Sequence, residues 1–241
     1  MRKTLLYGNA HRPCPEWWSA LETIRLRWHG HSCFEVASEL LTVVTDPHDG
    51  RSLGIVPPKV RADVVLVSHD HFDHAAVRVV EKPGQTLVLR DTGGLPGGAF
   101  TARGVHTFHD AQRGVSRGAN TVFVFELEGV TFCHLGDLGH ELTPEQYAEI
   151  GRVDVLFVPI GGVFTIDGPA AWRTVRAVRP RVAVPMHYRT GGLSLSINNL
   201  QPFLDQVERP DSIVRVGNEV EFAAADLDED ELLVWIFDCE H

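Results

Sequence analysis

The chain has 241 residues, 44% hydrophobic and 22% charged, with 32 acidic residues against 22 basic ones and a formal net charge of −10. That is enough apolar material for a core without disulfide staples, and the acidic balance offers no basic footprint for a nucleic-acid backbone. No stretch reaches the roughly 20 apolar residues of a membrane span, and the apolar run near Met1 is too short for an export signal, so a cytoplasmic protein without nucleic-acid or membrane partners is expected.

Residues 1–20, with Pro13, Pro15 and the pair Trp17-Trp18, show no period and read as an irregular arm before one domain over 21–241. Short β-rich runs then follow at 24–28, 33–36, 41–45, 64–67, 86–89, 105–108, 121–127, 130–133, 153–158 and 182–186. Helical signals cover 75–80, 169–178 behind a cap at Asp167, and part of 200–207. The clearest is Thr143-Pro144-Glu145-Gln146, a capping box with proline in the first turn, opening a helix that runs to about Ile150. Three strand-like pieces close the chain at 212–216, 220–223 and 232–237, with an acidic loop at 226–230. The glycine-rich stretch 91–98 lacks the lysine and following helix of a phosphate loop and reads as a turn. Cys14, Cys33, Cys133 and Cys239 lie far apart, as unpaired thiols of a reducing compartment do. A strand-rich first half followed by alternating strands and helices implies an α/β fold of two mixed sheets packed face to face with helices outside, a four-layer αββα sandwich.

The apolar run Val64-Val65-Leu66-Val67 leads straight into Ser68-His69-Asp70-His71-Phe72-Asp73-His74. One histidine on an apolar face is usually a hydrogen-bonded core residue, but His69, His71, Asp73 and His74 within six residues have no such structural excuse, because each buried polar group costs free energy unless paired. Metal binding is the reading that accounts for them. Such sites need three or more protein ligands, and three further candidates stand just beyond strand runs: His109, Asp137 and His187. His106 is a rival to His109, less well placed because it lies inside a strand pattern. Strand ends along one sheet edge converge in space, so the repetition is itself an argument.

In this order the HxHxDH motif, a later histidine, a Gly136-Asp137 step and a final histidine resemble the metallo-β-lactamase superfamily. Trp28-His29-Gly30-His31-Ser32-Cys33-Phe34, Thr45-Asp46-Pro47, His134-Leu135-Gly136-Asp137-Leu138-Gly139-His140 and Pro185-Met186-His187-Tyr188 are similar to its branch of metal-dependent hydrolases related to ascorbate-6-phosphate lactonase. The resemblance implies two divalent ions, zinc first, with manganese or iron as alternatives. His69, His71 and His109 would hold one ion, Asp73, His74 and His187 the other, with Asp137 bridging. It further implies a hydroxide nucleophile generated at neutral pH, with Asp73 orienting the water and His31 reaching the cleft or hydrogen-bonding behind it. Ser68 reads as a turn residue and His134 as a hydrogen-bond partner of the ligands. His48, His140, Tyr188 and Arg189 neighbour motif residues and are pocket candidates, and Gly161-Gly162 would let the chain approach the cleft closely. The expected function is hydrolysis of a small lactone, ester or phosphate-containing metabolite. The alternative is a metal-binding redox or sensor protein of the same fold. Homo-oligomers are compatible with the sequence.

Overall fold

A computed structural model describes residues 23–238; the expected N-terminal arm, Cys14 and Cys239 lie outside them. Two sheets carry the fold. The first has six strands: β1 (Ile24–Trp28), β2 (Phe34–Ala37), β3 (Thr42–Thr45), β4 (Val64–Leu66), β5 (Leu87–Leu89) and, beside β1, β13 (Glu219–Phe222). The second has eight: β6 (Gly93–Gly94), β7 (Thr101–Phe108), β8 (Ala119–Leu127), β9 (Val130–His134), β10 (Val155–Pro159), β11 (Val182–Met186), β14 (Leu233–Phe237) and β12 (Ile213–Gly217).

Residue type follows environment. In β10 and β11, Val-Leu-Phe-Val-Pro and Val-Ala-Val-Pro-Met are buried throughout, as parallel strands covered on both faces must be. β7 instead alternates buried and more exposed positions. Aromatic rings fill the space between the sheets, with Phe34 against Phe157 at 4.4 Å between centroids and Phe125 against Phe132 at 5.2 Å. Each such ring contributes about 1.5 to 3 kcal/mol by burial.

Helices α1 (Pro144–Ile150) and α2 (Gly168–Val178) pack outside the larger sheet, against β7 and β10, and α3 (Gln201–Leu204) packs on α2. The Thr143 capping box is present: Thr143 accepts from the Gln146 amide and the Gln146 side chain accepts from the Thr143 amide. Asp167 caps α2 by accepting from Ala170 N. The helix expected at 75–80 is a 3-10 turn over Val77–Val79 with no side-chain cap, because its β-branched valines disfavour a helix interior. The glycine-rich 91–98 turn contributes a two-residue strand, β6, paired with the start of β7. Cys33 and Cys133 are free and buried, and burial pushes both thiols up.

Strand direction places the site. β3 and β4 run parallel in the smaller sheet, and β9, β10 and β11 run parallel in the larger. β7 runs the same way as β9, because both are antiparallel to the intervening β8. The C-terminal ends of β3, β4, β7, β9 and β11 therefore meet along one edge of the sandwich, where the crevice of open α/β sheets lies. Asp46, Ser68-His69, His109, Asp137 and His187 follow those ends.

Candidate metal centre

The seven expected ligands come together around Asp137. Its Oδ2 lies 3.1 Å from His109 Nε2, 3.2 Å from His187 Nε2, 3.3 Å from His74 Nε2 and 3.9 Å from His69 Nε2. To one side, His69, His71 and His109 form a group whose ligand atoms lie within 4.8 Å of one another. To the other side stand Asp73, His74 and His187, joined by His31 within the same limit. His109 is buried in the cluster, while His106 is exposed and rests its ring on Phe108.

Behind this layer a single carboxylate aims ligands of both groups. Asp46 Oδ2 accepts from His74 Nδ1 at 2.9 Å and from Ser68 Oγ at 2.7 Å, and Asp46 Oδ1 accepts from Ser68 N at 2.7 Å. With its proton given to Asp46, Ser68 Oγ accepts from His69 Nδ1 at 2.9 Å. Both imidazoles are thereby fixed through Nδ1 with Nε2 turned toward Asp137. Asn120 orients the centre of the cluster, its Oδ1 accepting from Asp137 N at 2.9 Å while its amide nitrogen donates to Thr107 Oγ1 and Leu135 O.

Backbone geometry is strained here. Six non-glycine residues among those described have positive φ, and three of them are His31, Asp46 and His187. Each costs about 1 to 3 kcal/mol and persists where surrounding structure over-determines it. His187 N donates to His31 O at 3.1 Å, so two of the strained residues support each other. Gly136 has φ +55, and a Cβ there would meet Asn120 Oδ1 at 2.3 Å, which explains glycine before Asp137. A Cβ on Gly161 would lie 2.3 Å from His187 O, the close approach expected of that stretch.

Electrostatics favours cations at this edge. Burial by itself would raise the carboxyl pKa of Asp137, yet neighbouring His187 and His74 and the hydrogen bonds from His109 and His187 hold it well below the ordinary range. Burial would lower His74, but the Asp137 and Asp46 carboxylates outweigh it and hold its pKa well above the usual value. His69 falls to about 3 through burial and the nearby His74. Nε2 of His69, Nε2 of His74 and Oδ1 of Asp137 are buried with no hydrogen-bond partner among the described residues, a costly arrangement. Imidazole nitrogens and carboxylate oxygens suit zinc, iron or manganese, so the donor set fits metal ions.

His31 is 1% exposed, and its Nε2 donates to Asp73 Oδ2 at 3.1 Å. Burial and His187 push its pKa down to about 3 against the pull of Asp73, which makes it a neutral imidazole. His31 Nδ1 is buried with no hydrogen-bond partner among the described residues, whereas His134 uses both nitrogens: Nδ1 accepts from Gly136 N and Nε2 donates to Ser32 O at 2.9 Å. His48 and His140, considered as pocket residues, are held by backbone instead. His48 accepts from Gly50 N and donates to His29 O, while His140 accepts from Phe108 N and donates to Glu141 O. Tyr188 is buried against Trp28, and Arg189 is exposed. Asp46 and Asn120 received no role from the sequence, and Ser68 was assigned only a turn. Asp46 carries the same signal as the ligands, a polar residue just beyond an apolar strand.

A family model described as β-lactamase superfamily domain matches residues 25–187. A UPF0173 metal-dependent hydrolase of Nitratidesulfovibrio vulgaris is 33% identical over 195 residues, covering 69% of this chain and 80% of its own. Another from Methanoculleus marisnigri is 31% identical over 212 residues, with 79% and 91% covered. A Thermotoga maritima crystal structure, described as a zinc-dependent hydrolase of the metallo-β-lactamase superfamily, superposes with a TM-score of 0.71 at 37% identity, over 89% of this chain and 100% of that one.

Proposed function

We propose, from the premise that this chain belongs to the metallo-β-lactamase superfamily among its UPF0173 metal-dependent hydrolases, that it hydrolyses a small lactone, ester or phosphate-containing metabolite using two divalent ions, zinc first and manganese or iron otherwise. The observation that carries the two-ion reading is the position of Asp137, whose Oδ2 lies between the His69, His71, His109 group and the Asp73, His74, His187 group. Three buried carboxylates, Asp46, Asp73 and Asp137, gather at this edge, and two divalent cations offset that negative charge.

In this reading His69, His71 and His109 would hold one ion and Asp73, His74 and His187 the other, with Asp137 as a shared carboxylate. When bound, the ions supply hydroxide at neutral pH and polarise the bond under attack. Asp73 orients the attacking water and accepts its proton. His31, a neutral donor to Asp73 Oδ2, positions that carboxylate and reaches the substrate side only through it. Asp46 and Ser68 hold His69 and His74 by Nδ1 with Nε2 toward Asp137, the orientation in which they would bind the ions.

No helix among the described residues is long and apolar enough to cross a membrane, and the free buried Cys33 and Cys133 support a cytoplasmic setting. The resemblance of its motifs to relatives of ascorbate-6-phosphate lactonase supports including lactones among the substrates. The test is turnover of a panel of lactones, esters and phosphodiesters by protein reconstituted with zinc, and by the same protein after chelation. Metal-dependent turnover of a small member is the expected result. Preference for RNA or protein over every small ester would contradict the substrate class, and bound metal with no turnover at all would favour the sensor alternative.

A further inference from the structure

Two loops meet beside the metal centre, and an arginine joins them. The loop after His109 is closed at its base, because His109 N donates to Gly118 O at 3.1 Å. Arg117 therefore stands one residue from the backbone partner of a candidate ligand. The second loop leaves β10 at Gly161, which packs on His187, and returns at Ile166, whose N donates to Leu138 O at 2.8 Å, one residue beyond Asp137. Phe164 lies at its turn. The Arg117 guanidinium carbon sits 4.6 Å from the centroid of the Phe164 ring, linking the His109 side of the site to the His187 side.

The first loop does not need this arginine to hold its shape. Asp110 already accepts from the amides of Gln112, Gly114, Ser116 and Arg117 at 2.8 to 2.9 Å. Those four amides engage the Asp110 carboxylate, and the Arg117 side chain makes no ion pair and no hydrogen bond among the described residues, although acidic residues outnumber basic ones 32 to 22. Other arginines with acidic neighbours, such as Arg25, Arg173 and Arg181, are paired. Arg51 and Arg189, which are not, are exposed, whereas Arg117 is half-buried. A guanidinium laid on an aromatic face keeps its N–H edge free for a planar or tetrahedral anion. Apolar surface adjoins the same loops, with Phe72 61% exposed beside His71 and Val163 50% exposed beside Phe164.

We propose that Arg117, held over Phe164, receives an anionic group of the substrate, carboxylate or phosphate, separated by an apolar spacer from the bond that is hydrolysed. This rests on the hydrolase reading above and names the substrate class for that site. Arg117 is a specificity residue in this account and plays no part in holding the metal ions.

The test compares para-nitrophenyl hexanoate with the mono-para-nitrophenyl ester of adipate, in which a carboxylate replaces the terminal methyl, and with the corresponding ω-phosphonate. The zinc-loaded protein should favour the charged esters through KM. Arg117→Met should raise KM for them about tenfold, the scale of one lost charge-assisted contact, while leaving hexanoate and the zinc content unchanged. The larger loss between adipate and phosphonate identifies the anion. Phe164→Leu should give a smaller change of the same kind, and Arg179→Met, which removes an equal charge elsewhere, none. An equal effect on charged and uncharged esters, or none on either, would overturn the proposal. If no ester is turned over, the hydrolase reading fails separately, and calorimetry of adipate against hexanoate binding to zinc-loaded protein decides: an adipate advantage erased by Arg117→Met sustains the inference, while no advantage, or one that survives the substitution, overturns it.

Discussion

Two layers of buried histidines lie at the same edge of this fold and have opposite hydrogen-bonding. In the outer layer, His69 and His74 each give Nδ1 to a partner and turn Nε2 toward Asp137, while His109 and His187 present Nε2 to it directly. In the layer behind, His48 and His134 each accept one backbone N–H and donate to one carbonyl, which satisfies both nitrogens. The comparison teaches that burial and residue type do not separate a candidate ligand from the residue behind it. Direction does: His69, His74, His109 and His187 turn Nε2 toward Asp137, whereas backbone engages both nitrogens of His48 and His134.

The sharpest way to break the comparison is to remove the group the outer layer faces. Asp137→Ala should lower activity by several orders of magnitude and weaken the ion held by Asp73, His74 and His187 more than the other, since His69, His71 and His109 can hold one ion alone. Metal analysis alongside kcat/KM checks both. Asp46→Asn comes next. It replaces the carboxylate shared by His74 and Ser68, so metal affinity should fall roughly 10 to 100-fold, measured by chelator competition, and both ion sites should be affected because Asp46 acts on ligands of each.

His134→Ala tests the rear layer. It should reduce activity roughly 10 to 100-fold by loosening the Gly136-Asp137 step, with both ions retained on metal analysis. Retention of two ions and near-normal turnover by Asp137→Asn, together with loss of both by His134→Ala, would reverse the two layers. Thr143→Ala is the smallest change. It removes the α1 cap and should cost about 1 kcal/mol of stability, visible in thermal unfolding, without altering metal content.

Much of this was legible in the sequence because strand ends are cheap to find. Apolar runs stopping at His69, His109, Asp137 and His187 marked the strands and the candidate site, and the Thr143 box marked the start of α1 and its end near Ile150. Less legible was anything that depends on which atoms meet across the chain. Asp46 lies 22 residues from Ser68 and 28 from His74, and nothing local announces that it aims both. His48 and His140 looked like pocket residues by adjacency, and only the backbone groups around them show that their nitrogens are engaged. The 75–80 segment carried an apolar pattern, but its valines and missing cap reduced it to a single 3-10 turn.

The metal content of the intact protein is the most direct test of a two-ion centre. Purified without added ions, reconstituted with zinc and freed of excess, it should hold two ions per chain by elemental analysis, falling toward one in Asp137→Ala. Well under one ion per chain in the unaltered protein would contradict it.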